Sequence, residues 1–213
     1  MSPIFADPDR GDIHYFTVLS ITGTASAGAS DVSLYFKVDN ITGVVYVNEA
    51  NVLDYESGAQ YTLTIRCTDD NLQEEQVPPH LYADQTISVT INDANDAPVF
   101  YSTSLKQSLK ENSAEMTFLT GTPVIVTDQD VDDYSYFSIV QNYGSPAMFG
   151  INSMTGDIYQ LSNSFNYEQI QSVHIKVMAT DHGKLVNNRT APPKSTIATV
   201  NITIMDVNEA PSF

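Results

Sequence analysis

The chain has 213 residues, with 26 Asp and Glu against 9 Lys and Arg and a formal net charge of −17. So acidic a chain is repelled by phosphate backbones, which disfavours nucleic acid as a partner. The length fits one large domain or two of about 100 residues each, no stretch is apolar enough to cross a bilayer, and no secretory signal is present. Frequent Tyr, Thr, Val and Ile, with no sustained helical periodicity, favour half-buried strands.

In chain order, Asp7 and Asp9 begin the acidic series, and Asn-Ile-Thr-Gly within VDNITGVVYV (38–47) reads as a turn between strands. LDYE (53–56) places Asp54 and Glu56 just before YTLTIR (61–66), whose strict alternation predicts a strand. Cys67 closes that run; as the sole cysteine it has no intrachain disulfide partner, and a buried thiol is expected. DNLQEEQVPPHLYADQ (70–85) is expected to be an extended hairpin loop. ISVTI (87–91) is a second strand, and NDANDAPVF (92–100) follows it. Next come Glu111 in KENS, Asp128 and Asp130 in DQD, the turn in INSMTGDIYQL (151–161), and FNYE (165–168). VHIKVM (173–178) is a strand ending in ATD with Asp181, and HGKLVNNRTAPPKS (182–195) is a second long loop. VNITI (200–204) is the last strand, and MDVNEAPSF closes the chain.

These signatures form a repeat. Glu168 follows Glu56 by 112 residues, Asp181 follows Asp69 by 112, and Pro211 follows Pro98 by 113. Such register makes the chain two copies of one module, residues 1–97 and 98–213. Short strands at turn-marked intervals predict an all-β fold of two tandem Greek-key β-sandwiches. Thirty residues separate Pro98 from Asp128, whereas the first copy reaches Asp7 almost at once. The first copy is therefore expected to lack its opening strand, leaving a sheet edge exposed or paired with another chain.

The acids fall at strand ends and between the modules: Asp54, Glu56, Asn95, Asp96, Asp128, Asp130 and Asp181. Gathered in one cleft, so many carboxylates repel one another unless a hard cation lies among them. Calcium, with six to eight oxygen ligands, suits that inventory. DQDVDDYSYFSI is not an EF-hand, since Asp133 stands where Gly is required and Ile139 where Glu is required. A hydrolase with paired carboxylates, Asp54 with Glu56 or Asp128 with Asp130, is a rival reading. It is disfavoured because no pocket-building segment surrounds these acids. His14, His80, His174 and His182 form no zinc-ligand spacing, and no nucleophile elbow or phosphate loop occurs. The chain is read as a non-enzyme.

LDYE, DANDAP, DQD and ATD, in this order and partly repeated, resemble the motifs of tandem extracellular cadherin repeats over nearly the whole chain. That resemblance implies a calcium-binding linker with Asp54, Glu56, Asn95, Asp96, Asp128, Asp130 and Asp181 as ligands, together with the carbonyls of Ala94 and Ala97. Asp93 belongs to the motif without being assigned as a direct ligand. It implies up to three calcium ions, with the two nearer the first module weakened because no acid matching Glu111 precedes Asp7. Asp7, Asp9 and Asp69 would serve a preceding repeat and hold one weak ion or none. Glu111, Glu168, Asp206 and Asn208 would serve a following one, where Asn166 and Glu209 depart from the motif.

By the same resemblance the function is calcium-dependent cell adhesion. The chain would be a calcium-stiffened spacer within the extracellular portion of a single-pass plasma-membrane protein. Its partners would be flanking repeats of the same chain or other cadherin molecules, with no small-molecule substrate and no membrane contact of its own. A lateral adhesive face binding another cadherin is the alternative. Adhesion through a swapped, Trp-anchored strand does not suit a chain without Trp. Asn40, Asn188 and Asn201 are candidate glycan acceptors.

Overall fold

A computed structural model describes residues 13–23, 35–48, 53–69, 81–144 and 147–211. The start of the chain with Asp7 and Asp9, on which the expected lack of an opening strand bears, and the loop portion that includes His80 lie outside these residues. The chain divides into two compact units, Met1–Asp93 and Ala94–Phe213.

In the first unit, β1 (His14–Gly23), β4 (Gln60–Asp69) and β5 (Tyr82–Thr90) form an antiparallel sheet in the order β1-β4-β5. β2 (Phe36–Val38) and β3 (Val45–Val47) pair as a separate hairpin. Alternation along β4 turns Tyr61, Leu63 and Ile65 inward, where they meet Phe16, Ile21, Phe36 and Ile87. Tyr61 fills the space between Tyr35 and Phe36, with edge-on ring contacts at centroid distances of 5.8 and 5.4 Å. Cys67 continues the inward alternation but is only half-buried, because it packs at the margin of this core.

The second unit contains β6 (Val99–Phe100), β7 (Ser104–Lys110), β8 (Thr120–Gly121), β9 (Val126–Thr127) and β10 (Tyr136–Gln141). β11 (Phe149–Ile151), β12 (Ile158–Gln160), β13 (Ser172–Thr180) and β14 (Ser195–Met205) follow. Five strands make the sheet β10-β13-β14-β7-β8, in which β7 runs parallel to β14, and β11-β12 and β6-β9 are pairs. Val173, Ile175, Val177 and Ala179 of β13 and Ala198, Val200, Ile202 and Ile204 of β14 face one core. Phe149 and Phe165 stack there with ring centroids 5.3 Å apart. Among the described residues the one helical element is a 3-10 turn at Val186–Asn188.

The repeat extends to backbone detail. β1 bulges between Val18, paired with Ile65, and Ser20; β10 bulges between Ile139, paired with Val177, and Gln141. Ile65 and Val177 are 112 residues apart, so the extra residue, Leu19 or Val140, is inserted at the same rung. Each bulge resets the alternation and leaves its extra apolar residue exposed. The turns match as well. Asp39 Oδ1 accepts from the backbone N–H of Ile41 and Thr42 at 3.1 and 2.7 Å, and from the Thr42 hydroxyl at 2.8 Å. Asn152 Oδ1 accepts from the N–H of Met154 and Thr155 at 2.9 and 3.2 Å. Gly43 and Gly156 complete these turns with φ of 67° and 75°.

The stretch 70–85 is not a loop throughout. Tyr82, Ala83, Asp84 and Gln85 belong to β5 and pair with Thr68 through Ile65. The cross-strand pair Arg66–Asp84 explains the extension, with two hydrogen bonds of 2.7 and 2.9 Å and the guanidinium lying 3.7 Å from the Tyr82 ring centroid.

A Cβ at Gly156 would meet the Val124 carbonyl at 2.7 Å with φ at +75°. Gly156→Ala should therefore cost about 1–3 kcal/mol, read by denaturant unfolding of the second unit. The Thr42 N–H, followed by the Thr42 hydroxyl and the Ile41 N–H, holds the Asp39 carboxyl below its usual pKa. Its stabilisation is present above the unfolded value and is lost as pH falls through the lower folded value. Asp39→Ala should thus lower the melting temperature at pH 6 and by less at pH 3, whereas Asn152→Ala should have the same effect at both.

Candidate metal centre

Within the second unit, Asp181 continues directly from β13 and has no exposed surface. Its carboxylate accepts from Gly183 N–H at 2.8 Å, from Lys194 N–H at 3.0 and 3.1 Å, and from Asn95 Nδ2 at 3.3 Å to each oxygen. Asn95 Nδ2 also donates to the Pro192 carbonyl at 3.2 Å. Asp128 and Asp130 follow β9. Asp128 Oδ1 accepts the Asp130 N–H at 3.1 Å, and Asp130 Oδ2 accepts the Asp96 N–H at 2.7 Å. The structure thus brings together Asn95, Asp96, Asp128, Asp130 and Asp181.

The electrostatics of this group are those of a place short of positive charge. Burial pushes the Asp128 carboxyl above its usual pKa, and the charges of Asp181, Asp133 and Asp96 push it further, against the opposing Asp130 N–H. Two oxygens, Asn95 Oδ1 and Asp128 Oδ2, are buried without a hydrogen-bond partner. Orphaned buried oxygens are costly when nothing binds them. Their chemistry, two hard donors among carboxylates, fits calcium.

Asp54 and Glu56 occupy a turn of the first unit. Asp54 Oδ1 accepts the Glu56 N–H at 3.1 Å, and its Oδ2 accepts the Ser57 hydroxyl at 2.8 Å, the larger reason that its carboxyl lies below its usual pKa. Glu56 is pushed up to about 7 by burial first, then by Asp54 and by the charge of Asp93. Asp93 is itself buried. Asp69 ends β4, and its Oδ1 accepts the Leu81 N–H at 3.1 Å.

At the far end of the second unit, one carboxylate oxygen each from Glu111, Glu168 and Asp206 lies within 4.8 Å of the others. Glu111 is held from two sides, by Tyr167 N–H at 2.7 Å and Val207 N–H at 2.8 Å, and these bonds keep its carboxyl below its usual pKa. Glu209 is turned to the side-chain amide of Asn112 at 2.7 Å. Of the histidines, His174 lies outward on β13. His182 Nδ1 donates to the Tyr134 carbonyl at 2.8 Å, and its ring lies against the Tyr134 ring with centroids 3.9 Å apart and planes tilted by 32°.

Two residues near the site escaped the sequence reading. Asp133 accepts from His182 N–H at 3.3 Å and Lys184 N–H at 2.8 Å, anchoring the loop after β13 beside Asp128. It is the last acid of DQDVDD, which the sequence marks only by its mismatch to a calcium-loop position. Lys194, whose ammonium donates to the Asn95 carbonyl, had no sequence signal at all.

A family model described as "Cadherin domain" matches residues 5–92 and 106–205. The chain is 31% identical over 185 residues to protocadherin gamma-A9 of Pan troglodytes, covering 83% of this chain and 18% of that protein. It is 30% identical over 210 residues to human protocadherin-23, covering 97% of this chain and 6% of that protein. The chain therefore spans only a small part of these relatives. The crystal structure of mouse cadherin-23 EC22-24 is similar with a TM-score of 0.56 and 26% identity, covering 94% of this chain and 57% of that one.

A neutral isostere at Asp128 should relieve the repulsion. Asp128→Asn is expected to raise the melting temperature in chelator by a few degrees, and differential scanning calorimetry measures it.

Proposed function

Because the chain belongs to the cadherin family, we propose that it is a pair of repeats from a longer adhesion ectodomain, in which calcium bound around Asn95 and Asp96 stiffens the passage between repeats. Cadherin domains are calcium-binding adhesion modules, and this chain carries two of them. The observation that supports the calcium reading most strongly is the pair of orphaned buried oxygens, Asn95 Oδ1 and Asp128 Oδ2, beside the fully buried Asp181. A divalent ion satisfies such oxygens and offsets their mutual repulsion together.

We assign Asn95, Asp96, Asp128, Asp130, Asp181 and the Ala97 carbonyl as ligands from the second unit. Asp54, Glu56 and the Ala94 carbonyl, with Asp93 in support, complete a set for up to three ions. Glu56, pushed up to about 7 with no cation present, must be ionised to serve. Ligands drawn from successive repeats resist bending, because bending pulls them from the ion. Binding also stabilises the ordered form: at about twenty times Kd, each ion contributes about 1.8 kcal/mol. With extracellular sites filling at about 10⁻⁴–10⁻³ M, stiffness would follow extracellular calcium.

No helix among the described residues is long and apolar enough to cross a membrane. The proposed setting is the outer portion of a single-pass plasma-membrane protein, with flanking repeats or other cadherin molecules as partners. Of the proposed glycan acceptors, Asn40 and Asn188 are exposed in turns, while Asn201 is exposed on β14 with its amide on the Ser104 hydroxyl at 3.2 Å.

Melting and small-angle scattering in chelator and in about 2 mM calcium, a concentration above the usual range for such sites, test the proposal. Calcium should raise the melting temperature and narrow the range of shapes. Asp96→Ala should lose most of both responses and Asp9→Ala almost none of the linker response. A wild-type chain indifferent to calcium in both measurements would refute the reading.

A further inference from the structure

The repeat supplies its own control for Lys194. In the second unit, Asp181 N–H donates to the Lys194 carbonyl at 3.1 Å while Lys194 N–H returns to the Asp181 carboxylate. In the first unit, Asp69 N–H donates to the Leu81 carbonyl at 3.1 Å while Leu81 N–H returns to Asp69 Oδ1 at 3.1 Å. Leu81 and Lys194 therefore hold equivalent places and close the same backbone ring. Since leucine closes it in one copy, the ring does not need an ammonium group, and the Lys194 side chain is free for another role.

That side chain is aimed at the candidate metal centre. Its Nζ donates to the Asn95 carbonyl. The N–H of the same peptide group is that of Asp96, which donates to Asp130 Oδ2 at 2.7 Å. A positive and a negative charge thus lie at opposite ends of one peptide plane, about 7 Å apart by standard peptide dimensions. The other end of Asn95, its Nδ2, lies 3.3 Å from both oxygens of Asp181. The Asn95 carbonyl is not among the proposed calcium ligands, whereas its side-chain oxygen is. The ammonium can therefore stay bound when the ion arrives.

We infer that the Lys194 ammonium is a built-in counter-ion for the carboxylates around Asp181, and that its charge raises the calcium concentration at which the second unit's site fills. This rests on the calcium reading above. Without calcium, the ammonium offsets part of the repulsion among Asp96, Asp128, Asp130 and Asp181. With calcium, it repels the incoming ion.

The test compares Lys194→Leu, which installs the residue of the first copy, with Lys194→Arg, which keeps the charge. Melting is followed in chelator and across a calcium titration, at low salt and in 0.5 M KCl. Lys194→Leu should melt lower than wild type in chelator, yet half-saturate at about three- to tenfold less calcium, as expected for removing one charge about 7 Å from a carboxylate that would hold a divalent ion. High salt should shrink both differences, and Lys194→Arg should stay within about twofold of wild type on the same electrostatic grounds. A merely structural lysine would give lower melting with unchanged or weaker calcium binding, which overturns the inference. So would an arginine variant that behaves like leucine, or a salt-independent effect. If wild type itself ignores calcium, the proposed function fails and this inference with it; if wild type responds and Lys194→Leu matches it, only this inference fails.

Discussion

A carboxylate with no exposed surface, Asp181, sits where the return from β13 to β14 and the chain entering β6 converge. Burying a charge is tolerable only when it is hydrogen-bonded and paired. Gly183, Lys194 and Asn95 supply the bonds. That requirement fixes where Asn95 lies, and with it Asp96, whose N–H then reaches Asp130. The positions of three candidate ligands, Asn95, Asp96 and Asp130, thus follow from satisfying a fourth. What the hydrogen bonds do not supply is enough positive charge, and the raised Asp128 and the two orphaned oxygens record the deficit.

The two ends of the second unit solve the same problem differently. Glu111 is buried, but two backbone N–H groups hold its carboxylate and keep it readily ionised. Around Asp128 burial and neighbouring carboxylates win over the single N–H it accepts. Acid count alone therefore does not rank such clusters. The number of N–H donors aimed at each carboxylate decides how much a cation has to offset.

Much of this was legible in the sequence because it depends on period and order. Alternation in YTLTIR and VHIKVM marks the inward faces of β4 and β13, and the residues they bury are those the alternation indicates. The acids of DQD, DANDAP and ATD meet because strand ends meet. The bulges at Leu19 and Val140 leave no trace, since an extra apolar residue in an apolar run looks like one more rung. The start of β5 was hidden for a related reason. LYADQ is too polar to read as a strand, and what extends it is an Arg66–Asp84 pair formed only once the strands are side by side.

Lys194 lay furthest from view, because its acceptor is 99 residues away and its neighbours PPKS read as loop. Only the superposed copies give it meaning. Where a backbone role is repeated and the side chain is not, the side chain is the part free to differ in function. The ring closed by Leu81 and by Lys194 is such a place. The same logic separates Asp39 from Asn152, which close one turn with and without a titratable group. Internal repetition supplies, within one chain, the paired comparison that separates the residues a fold requires from those its chemistry requires.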